Sequence, residues 1–569
     1  MKLYPVQVIM ILSSSLGGII NGLVIGNNLP AEAMTASGLA TPFISMINAM
    51  AQIISFGSGI LCGQYMGRGE AKKINSIFSI SINVLVIAAA ILSVSTFFFS
   101  DQIALLCGAS ELTLVETSQY IKGTSLGFVP IMIVPCLMTF LQMCDESGIS
   151  LFGTILQAAC NLGFGLINVK LLGGSIFNMG LVNALSPLVV LVVFAIFFVS
   201  KKNLVKYEKG KLDRKILKDL VVYGFPAAFA SILYAIRNIV INTLTIKYEG
   251  DVAANALAIM NSSCVIYDAF NIGLFSALRM LASVFVGERD AESLKSLLRF
   301  ALVFGVIMGF SKLTILWIFV KPFVKLFGAA GATIDAAAYL WVWYAWAAPL
   351  NVVGANFVNF YSSLGKNLFV NIIYLLTALI VPSICCLLDP VFGLEAIWGN
   401  YVVSEIVTLL IVFGMAIFKK KKFPVNLDDL MDLGPEFDIE DRMSLSIRNI
   451  EDVINSSKDI EAFCKEKGID ERRSKLAGLC LEEMAGNIVE HGFFKDNKQH
   501  VIDIFVCVEN DGIYLRIRDD CVPFDPMAVE KVFNPEDPCK NVGIRLVSKI
   551  AKEMNYQPTF GMNVLSIEL

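Results

Sequence analysis

The chain has 569 residues, of which 56% are hydrophobic and 17% charged, with a mean hydropathy of +0.68. Water-soluble domains carry about 25% charged residues, so most of this chain needs a non-aqueous solvent. The formal net charge of −4 argues against a nucleic-acid binder. The 13 cysteines form no Cys-x-x-Cys pair and read as buried reduced thiols. No Gly-x-x-x-x-Gly-Lys phosphate loop occurs, which excludes an ATP-driven pump built on that loop.

A spanning helix needs about 20 mostly apolar residues. About twelve such segments lie near 5–26, 38–65, 77–98, 122–143, 148–171, 180–199, 219–244, 254–285, 298–320, 338–362, 367–388 and 394–418. The first is read as an uncleaved membrane helix, because no small-residue cleavage site follows it. Basic residues cluster after even-numbered segments: Arg68, Lys72 and Lys73; Lys201, Lys202, Lys206, Lys209, Lys211, Arg214, Lys215 and Lys218; Arg289, Lys295 and Arg299; and Lys419 to Lys422. The positive-inside bias makes that side cytoplasmic and places both termini there, in a multi-pass plasma-membrane protein in contact with lipid.

The first half repeats in the second at an offset of 220 residues. Ala33 pairs with Ala253, Ala36 with Ala256, Asn48 with Asp268, Gly67 with Gly287, and Ala71 with Ala291. A six-helix repeat is even, so both halves enter the membrane with the same sense. They are expected to be related by an axis along the membrane normal, with a cavity between them, which is transporter architecture. The predicted organisation is a membrane domain over 1–418, with repeats of about 1–200 and 215–418. A basic, then Pro/Gly/Asp-rich linker follows at 419–440, and a soluble domain at 441–569.

The stretches "INGLVIGNNLPAEAMTASGLATPF" and "AIWGNYVVSEIVTLL", with the loops Gly67 to Ala71 and Gly287 to Ala291, resemble the multidrug and toxic compound extrusion (MATE) family. The resemblance implies a secondary antiporter that exports small, cationic, amphipathic drugs in exchange for H+ or Na+. Ionisable groups within the membrane default to functional hypotheses. Asp268, in "SSCVIYDAFNIGL", is the first candidate for ion coupling, and an ion pair with Arg237 is the competing structural reading. Glu405 in the last segment is the second candidate. Arg279 would meet an anionic group or reach toward the interface. Many bacterial members of the family carry an aspartate in the first helix, five residues before a glycine. Here Asn21 precedes Gly26, so the first helix cannot titrate there. Asn21, Asn161 and Asn168 remain as carbonyl ligands for sodium or substrate.

The remainder reads as an α/β sandwich, a helix layer on a mixed sheet. "DRMSLSIRN" reads as a strand, 451–467 and 471–491 as helices, and "HVIDIFVCVEN" and "GIYLRIRDD" as strands around a turn at Asn510 to Gly512. "GIRLVSKIAKEMNY" reads as an amphipathic helix and "NVLSIEL" as a closing strand. In "LCLEEMAGNIVEHGF", Glu483, Asn487 and His491 fall one turn apart on one helical face. Asp519 ends a strand in "IRDDCVPFDP". In "NVGIRLVSKI", Gly543 opens a helix whose free N–H groups can hold phosphate.

This ordered set resembles the ATP-binding domain shared by histidine kinases, gyrase-type ATPases and, most closely, anti-sigma-factor serine kinases. That resemblance implies ATP and Mg²⁺ as cofactors, Glu483 as general base, Asn487 as Mg²⁺ ligand, and Asp519, His491 and Gly543 at the nucleotide. It also implies a soluble antagonist-like protein partner. Cys521 stands where the family has glycine, and Asn541 replaces the first glycine of the pair that closes the lid. Two readings follow: an efflux antiporter with a nucleotide-sensing tail, or a membrane sensor with a kinase-like output domain.

Overall fold

The computed structural model describes residues 3–200, 205–208, 213–327, 329–437, 442–493, 499–509, 512–527, 542–559 and 561–569. The contacts divide the chain into a helical unit that runs to Leu433 and a tail unit from Gly434 onward. Lys201, Lys202, Lys209, Lys211, the Asn510–Asp511 turn and Asn541 lie outside the described residues.

Among the described residues, nine helices are long and apolar enough to cross a membrane. The pair Leu114–Ser125 and Phe128–Met143, bent by 51°, adds a tenth. Helix Arg214–Glu288 is 75 residues long and is broken at Gly250, with φ 76° and ψ −167°. Only glycine adopts that conformation cheaply, so Gly250 separates two spanning arms. The aromatic-rich helix Thr333–Ser363, with 31 residues, is also long enough to span and completes twelve. Large apolar side chains such as Ile91, Phe98, Ile196, Ile307 and Trp317 stand exposed on the outside of this bundle, as a lipid-facing surface requires.

Small residues bring the two repeats into backbone contact. A Cβ on Gly67 would lie 2.2 Å from the Val284 carbonyl oxygen, and one on Gly287 would lie 2.0 Å from that of Gln64. These two contacts are repeat equivalents, since Gln64 and Val284 are themselves 220 residues apart. The C-terminal ends of helix Ala31–Gly67 and of the Arg214–Glu288 helix therefore cross symmetrically. Lower on the same helix, Gly57 abuts the Leu220 carbonyl and Gly224 the Ile53 carbonyl, at 2.1 and 1.6 Å from a built Cβ. Such close approach gains dispersion contacts where lipid offers no hydrophobic drive.

After the last spanning helix, Leu394–Lys420, the chain folds back onto the helical unit. Asn426 caps the short helix Leu427–Met431 by accepting from Asp429 N–H at 3.0 Å. Met431 is buried, and the Tyr361 hydroxyl donates to the Leu430 carbonyl at 2.7 Å. Asp432 is bound by Lys366 and by Lys419, Asp429 by Lys420 and Lys422 at 3.0 and 3.3 Å, and Asp428 by Lys295 at 2.7 Å. The acid-rich half of the predicted linker is thus neutralised by the basic ends of the spanning helices. The Val425 N–H, with Lys420 and Lys422, holds the Asp429 carboxyl well below the usual carboxylate range.

The tail unit contains β1 (Arg442–Ile447), β2 (Ile502–Glu509), β3 (Gly512–Asp519), β4 (Glu553–Thr559) and β5 (Met562–Glu568), in the order β1-β2-β3-β5-β4. Every pair is antiparallel, which corrects the expected mixed sheet. Two helices, Ile450–Glu466 and Glu471–His491, separate β1 from β2. An even number of helical passes returns the chain in the opposite direction. A second correction concerns the last helix, which is confined to Val542–Ile550 and gives way to β4 at Glu553. The helices cover one sheet face around Ile447, Leu481, Ala485, Ile504, Ile517 and Val547.

Two outcomes test this architecture. Gly287→Val sets a methyl group against backbone that cannot move aside, so the loss should reach or exceed the top of the roughly 1–3 kcal/mol range for overpacking. Gly163→Ala, with nothing within 4 Å of the new Cβ, should be silent. Thermal unfolding in detergent distinguishes the two, and a tolerated Gly287→Val would contradict the crossing. The Asp429 contribution is fully present above the unfolded carboxylate value of about 3.9 and is lost as pH falls below it. Limited proteolysis near 424–433 should therefore be slow from neutral pH down to about pH 5 and accelerate at still lower pH. A uniform rate across that range would remove the ion pairs from the account.

Candidate functional site

The helical unit holds two cavities that differ in charge, one lined by second-half residues and one lined mainly by first-half residues. The second-half cavity, about 430 Å³, is lined by Asp268, Glu405, Arg237, Tyr344, Tyr401 and Asn351 among others. Asp268 accepts a hydrogen bond from the Tyr344 hydroxyl. Its cationic neighbour is Lys312, at 3.9 Å, too far for a hydrogen bond but close enough to pair charge. The ammonium of Lys312 lies 3.8 Å from the Tyr267 ring centroid, a cation–π contact. Glu405 accepts from the Asn351 amide at 2.9 Å.

The competing structural reading, an Asp268–Arg237 ion pair, is not what the structure shows. Arg237 donates instead to Asn400 Oδ1 at 2.8 Å and lies over the Tyr401 ring at 4.7 Å. Lys312 was not singled out from the sequence. Its signal was present, as a lysine inside the segment 298–320. A carboxylate with a phenol donor and a distant ammonium can exchange a proton or a small cation without losing all its partners.

The first-half cavity is larger, about 1030 Å³, and is lined by Asn21, Asn48, Tyr120, Asn161, Asn183 and Arg279, with many serines and apolar residues. The amides of Asn21 and Asn183 both donate to the Tyr120 hydroxyl, at 3.3 and 2.8 Å. This leaves Asn21 Oδ1, and likewise Asn161 Oδ1, as buried acceptors without a protein partner. Asn168 is not part of this wall. It is buried, and its amide donates to the Ser175 carbonyl at 3.0 Å, closing the loop after its own helix. Tyr120 and Asn183 were not singled out from the sequence, which offers no local pattern for them.

In the tail, Glu483 and Asn487 share one face of helix Glu471–His491, and the Asn487 amide donates to the Glu483 carbonyl. His491 is the exposed last residue of that helix. A Cβ on Gly543 would lie 1.9 Å from Glu483 Oε2, so only glycine lets the start of helix Val542–Ile550 approach this carboxylate. Asp519, buried at the end of β3, accepts from Cys521 N–H at 2.9 Å and from the Asn563 amide at 2.7 Å. Burial pushes the Asp519 carboxyl up, although Asn563 and the Cys521 N–H pull it down. Cys521 thus holds the carboxylate through its backbone, a contact that glycine would also make. Asn563, in β5, is a positioning residue that the sequence did not reveal.

Residues 5–167 and 226–387 match the MatE family profile. The chain belongs to the MatE family. The two matched blocks are the two MatE halves seen in the structure, and residues 449–568 match the histidine kinase-like ATPase domain. Curated MatE relatives include the multidrug export protein MepA of Staphylococcus saprophyticus, 21% identical over 424 residues, covering 74% of this chain and 93% of that protein. The Staphylococcus aureus MepA is also 21% identical, with the same coverage. Among solved structures, an outward-facing multidrug-resistance MATE transporter of the MOP superfamily superposes with a TM-score of 0.69 at 16% identity, over 74% of this chain and 95% of that one. A MOP superfamily transporter from Pyrococcus furiosus gives 0.68 at 17%, with the same coverage. The structural likenesses show the MatE fold for the helical unit, and the family match with the apolar helices makes the chain a multi-pass membrane protein.

The buried Asp519 carboxylate yields a sign that can be checked. A carboxyl raised on folding contributes stability that is full below the unfolded value of about 3.9 and is lost as pH rises through the folded value. At neutral pH the ionised, buried group is a net cost. Asp519→Asn should therefore raise the thermal midpoint of the tail modestly at pH 7, with a vanishing advantage at pH 4. Destabilisation at pH 7 would contradict this assignment.

Proposed function

We propose that the chain is a secondary active efflux transporter of small amphipathic molecules, driven by H+ or Na+ and modulated by a cytoplasmic nucleotide-binding tail. The observation that carries the reading is the segregation of charge between the two cavities. Both candidate ion-coupling carboxylates, Asp268 and Glu405, line the second-half cavity, and among the described residues no carboxylate lines the first. A substrate cavity and an ion site in separate halves of one bundle can be linked by movement of the halves about their crossing, with the ion gradient supplying the work. Two sites that each favour a different state of the bundle are thermodynamically coupled. The names of the MepA relatives, multidrug export proteins, support export as the direction, and the positive-inside pattern supports cytoplasmic ends.

The residues of the tail fit a nucleotide. Asp519 offers a buried, pre-oriented acceptor suited to an adenine amine. The nine-residue helix Val542–Ile550 turns its N-terminus toward Glu483 and would hold phosphate. Asn487 would hold Mg²⁺ through its amide oxygen. ATP bound there supplies phosphoryl groups. This chain's own residues orient the base and adenine ring and keep Glu483 beside the phosphate-binding helix.

Two measurements test the proposal. In proteoliposomes with an imposed H+ or Na+ gradient, Asp268→Asn should abolish dye efflux while the protein remains monodisperse, because an amide cannot cycle a proton and binds sodium poorly. Undiminished efflux would make Asp268 structural. By calorimetry, Asp519→Ala and Asn487→Ala should each weaken Mg-ATP binding by about tenfold to a hundredfold, the equivalent of roughly 1.5–3 kcal/mol for a lost charged or metal-assisted contact. No binding by the wild type at millimolar ATP, a concentration where even weak sites of about −4 kcal/mol fill, would refute nucleotide control.

A further inference from the structure

The first-half cavity bears on which charge the cargo carries. Among the described residues that line it, Arg279 is the single charged one. Its guanidinium lies 4.0 Å from the Phe56 ring centroid, and its Nη1 donates to Asn359 Oδ1 at 3.2 Å. Both partners are neutral. Arg279 is half-buried; a guanidinium keeps its charge in any protein environment, and a charge partly withdrawn from water without a counter-ion is costly. The cavity therefore carries an uncompensated positive charge. The repeat sharpens the point, because the equivalent of Asp268 in the first half is Asn48, which lines this cavity as a neutral amide. Where the second half carries its coupling carboxylate, the first withholds one. Elsewhere on the wall, Asn21 Oδ1 and Asn161 Oδ1 are acceptors without a protein partner, placed to receive N–H or O–H donors.

We propose that this cavity binds an amphipathic organic anion, its acidic group paired with Arg279 and its donor groups on Asn21 and Asn161. The inference rests on the transporter reading for passage of the ligand across the membrane, but not for its binding. It reverses the cationic cargo that the family resemblance implies. A cationic molecule in this cavity would meet Arg279 with no acidic side chain to offset it, whereas an anion supplies the partner the guanidinium lacks.

The test uses the full-length protein in neutral detergent and two dyes of one ring system, anionic fluorescein and a cationic rhodamine, with binding read by fluorescence anisotropy. Fluorescein should bind more tightly than rhodamine. Arg279→Gln should weaken fluorescein by at least about tenfold, as expected for removing one member of a buried charge pair, and leave rhodamine unchanged or tighter. Arg279→Lys should restore most of the loss. Gln52→Glu supports the reading from a second side: it places a carboxylate in the cavity one helical turn from Phe56 and should weaken fluorescein while Arg279 is intact. Tighter rhodamine binding by the wild type, or fluorescein binding indifferent to both Arg279→Gln and Gln52→Glu, would overturn the proposal. Fluorescein that binds with this dependence but is not carried in gradient-loaded proteoliposomes would uphold the anion site and overturn the transporter reading instead.

Discussion

The helical unit depends on a backbone-to-backbone crossing between the repeats. Gly67 against the Val284 carbonyl and Gly287 against that of Gln64 are one contact written twice, once from each half. In lipid the apolar side chains of either half are as well solvated apart as together, so association rests on close packing. Side chains larger than hydrogen at these positions would separate the helices and remove that packing. A crossing of two smooth backbones is also the kind of joint about which rigid bundles can rock.

Around that joint, the duplicated chain has diverged in charge while keeping its frame. Ala33 and Ala253, and Ala36 and Ala256, are all buried at equivalent places. Asn48 and Asp268, also equivalent, line two cavities of opposite character. The second half concentrates carboxylates, a lysine and an arginine among tyrosines, a set able to exchange small cations. The first-half wall of the larger cavity presents amides and hydroxyls, and the second half adds the Arg279 guanidinium to it. Under the proposed reading, this division would separate the coupling ion from the molecule that is moved.

Much of this was legible in the sequence because hydrophobicity, repeats and loop glycines are local signals. The spanning segments, the 220-residue offset and the Glu483–Asn487 face followed from spacing alone. What was not legible depends on which helix faces which. Arg237 and Lys312 were equally available to Asp268 by sequence, and only packing gives the aspartate to Lys312. Asn161 and Asn168 lie two turns apart on one helix, yet the first faces the cavity and the second closes a loop. In the tail, the segment after Ile550 carries apolar residues that suit a helix or a strand, and its pairing with β5 decided for the strand. Asn563, which steadies Asp519, comes from β5, far along the chain from any motif.

The tail matches the histidine kinase-like ATPase domain, and the role proposed for it is modulation. Its residues suit adenine, phosphate and Mg²⁺, but the chain has no phosphate loop of the kind that drives primary pumps. The account therefore makes the gradient the source of work and the nucleotide a modulator. The most direct measurement is gradient-driven efflux in proteoliposomes at fixed ion gradient, with Mg-ATP, a non-hydrolysable analogue, or no nucleotide on the tail side. The account predicts efflux without nucleotide that collapses when the gradient is dissipated, and a rate altered alike by ATP and its analogue. Efflux that needs hydrolysable ATP, or that persists with ATP after the gradient is gone, would contradict it.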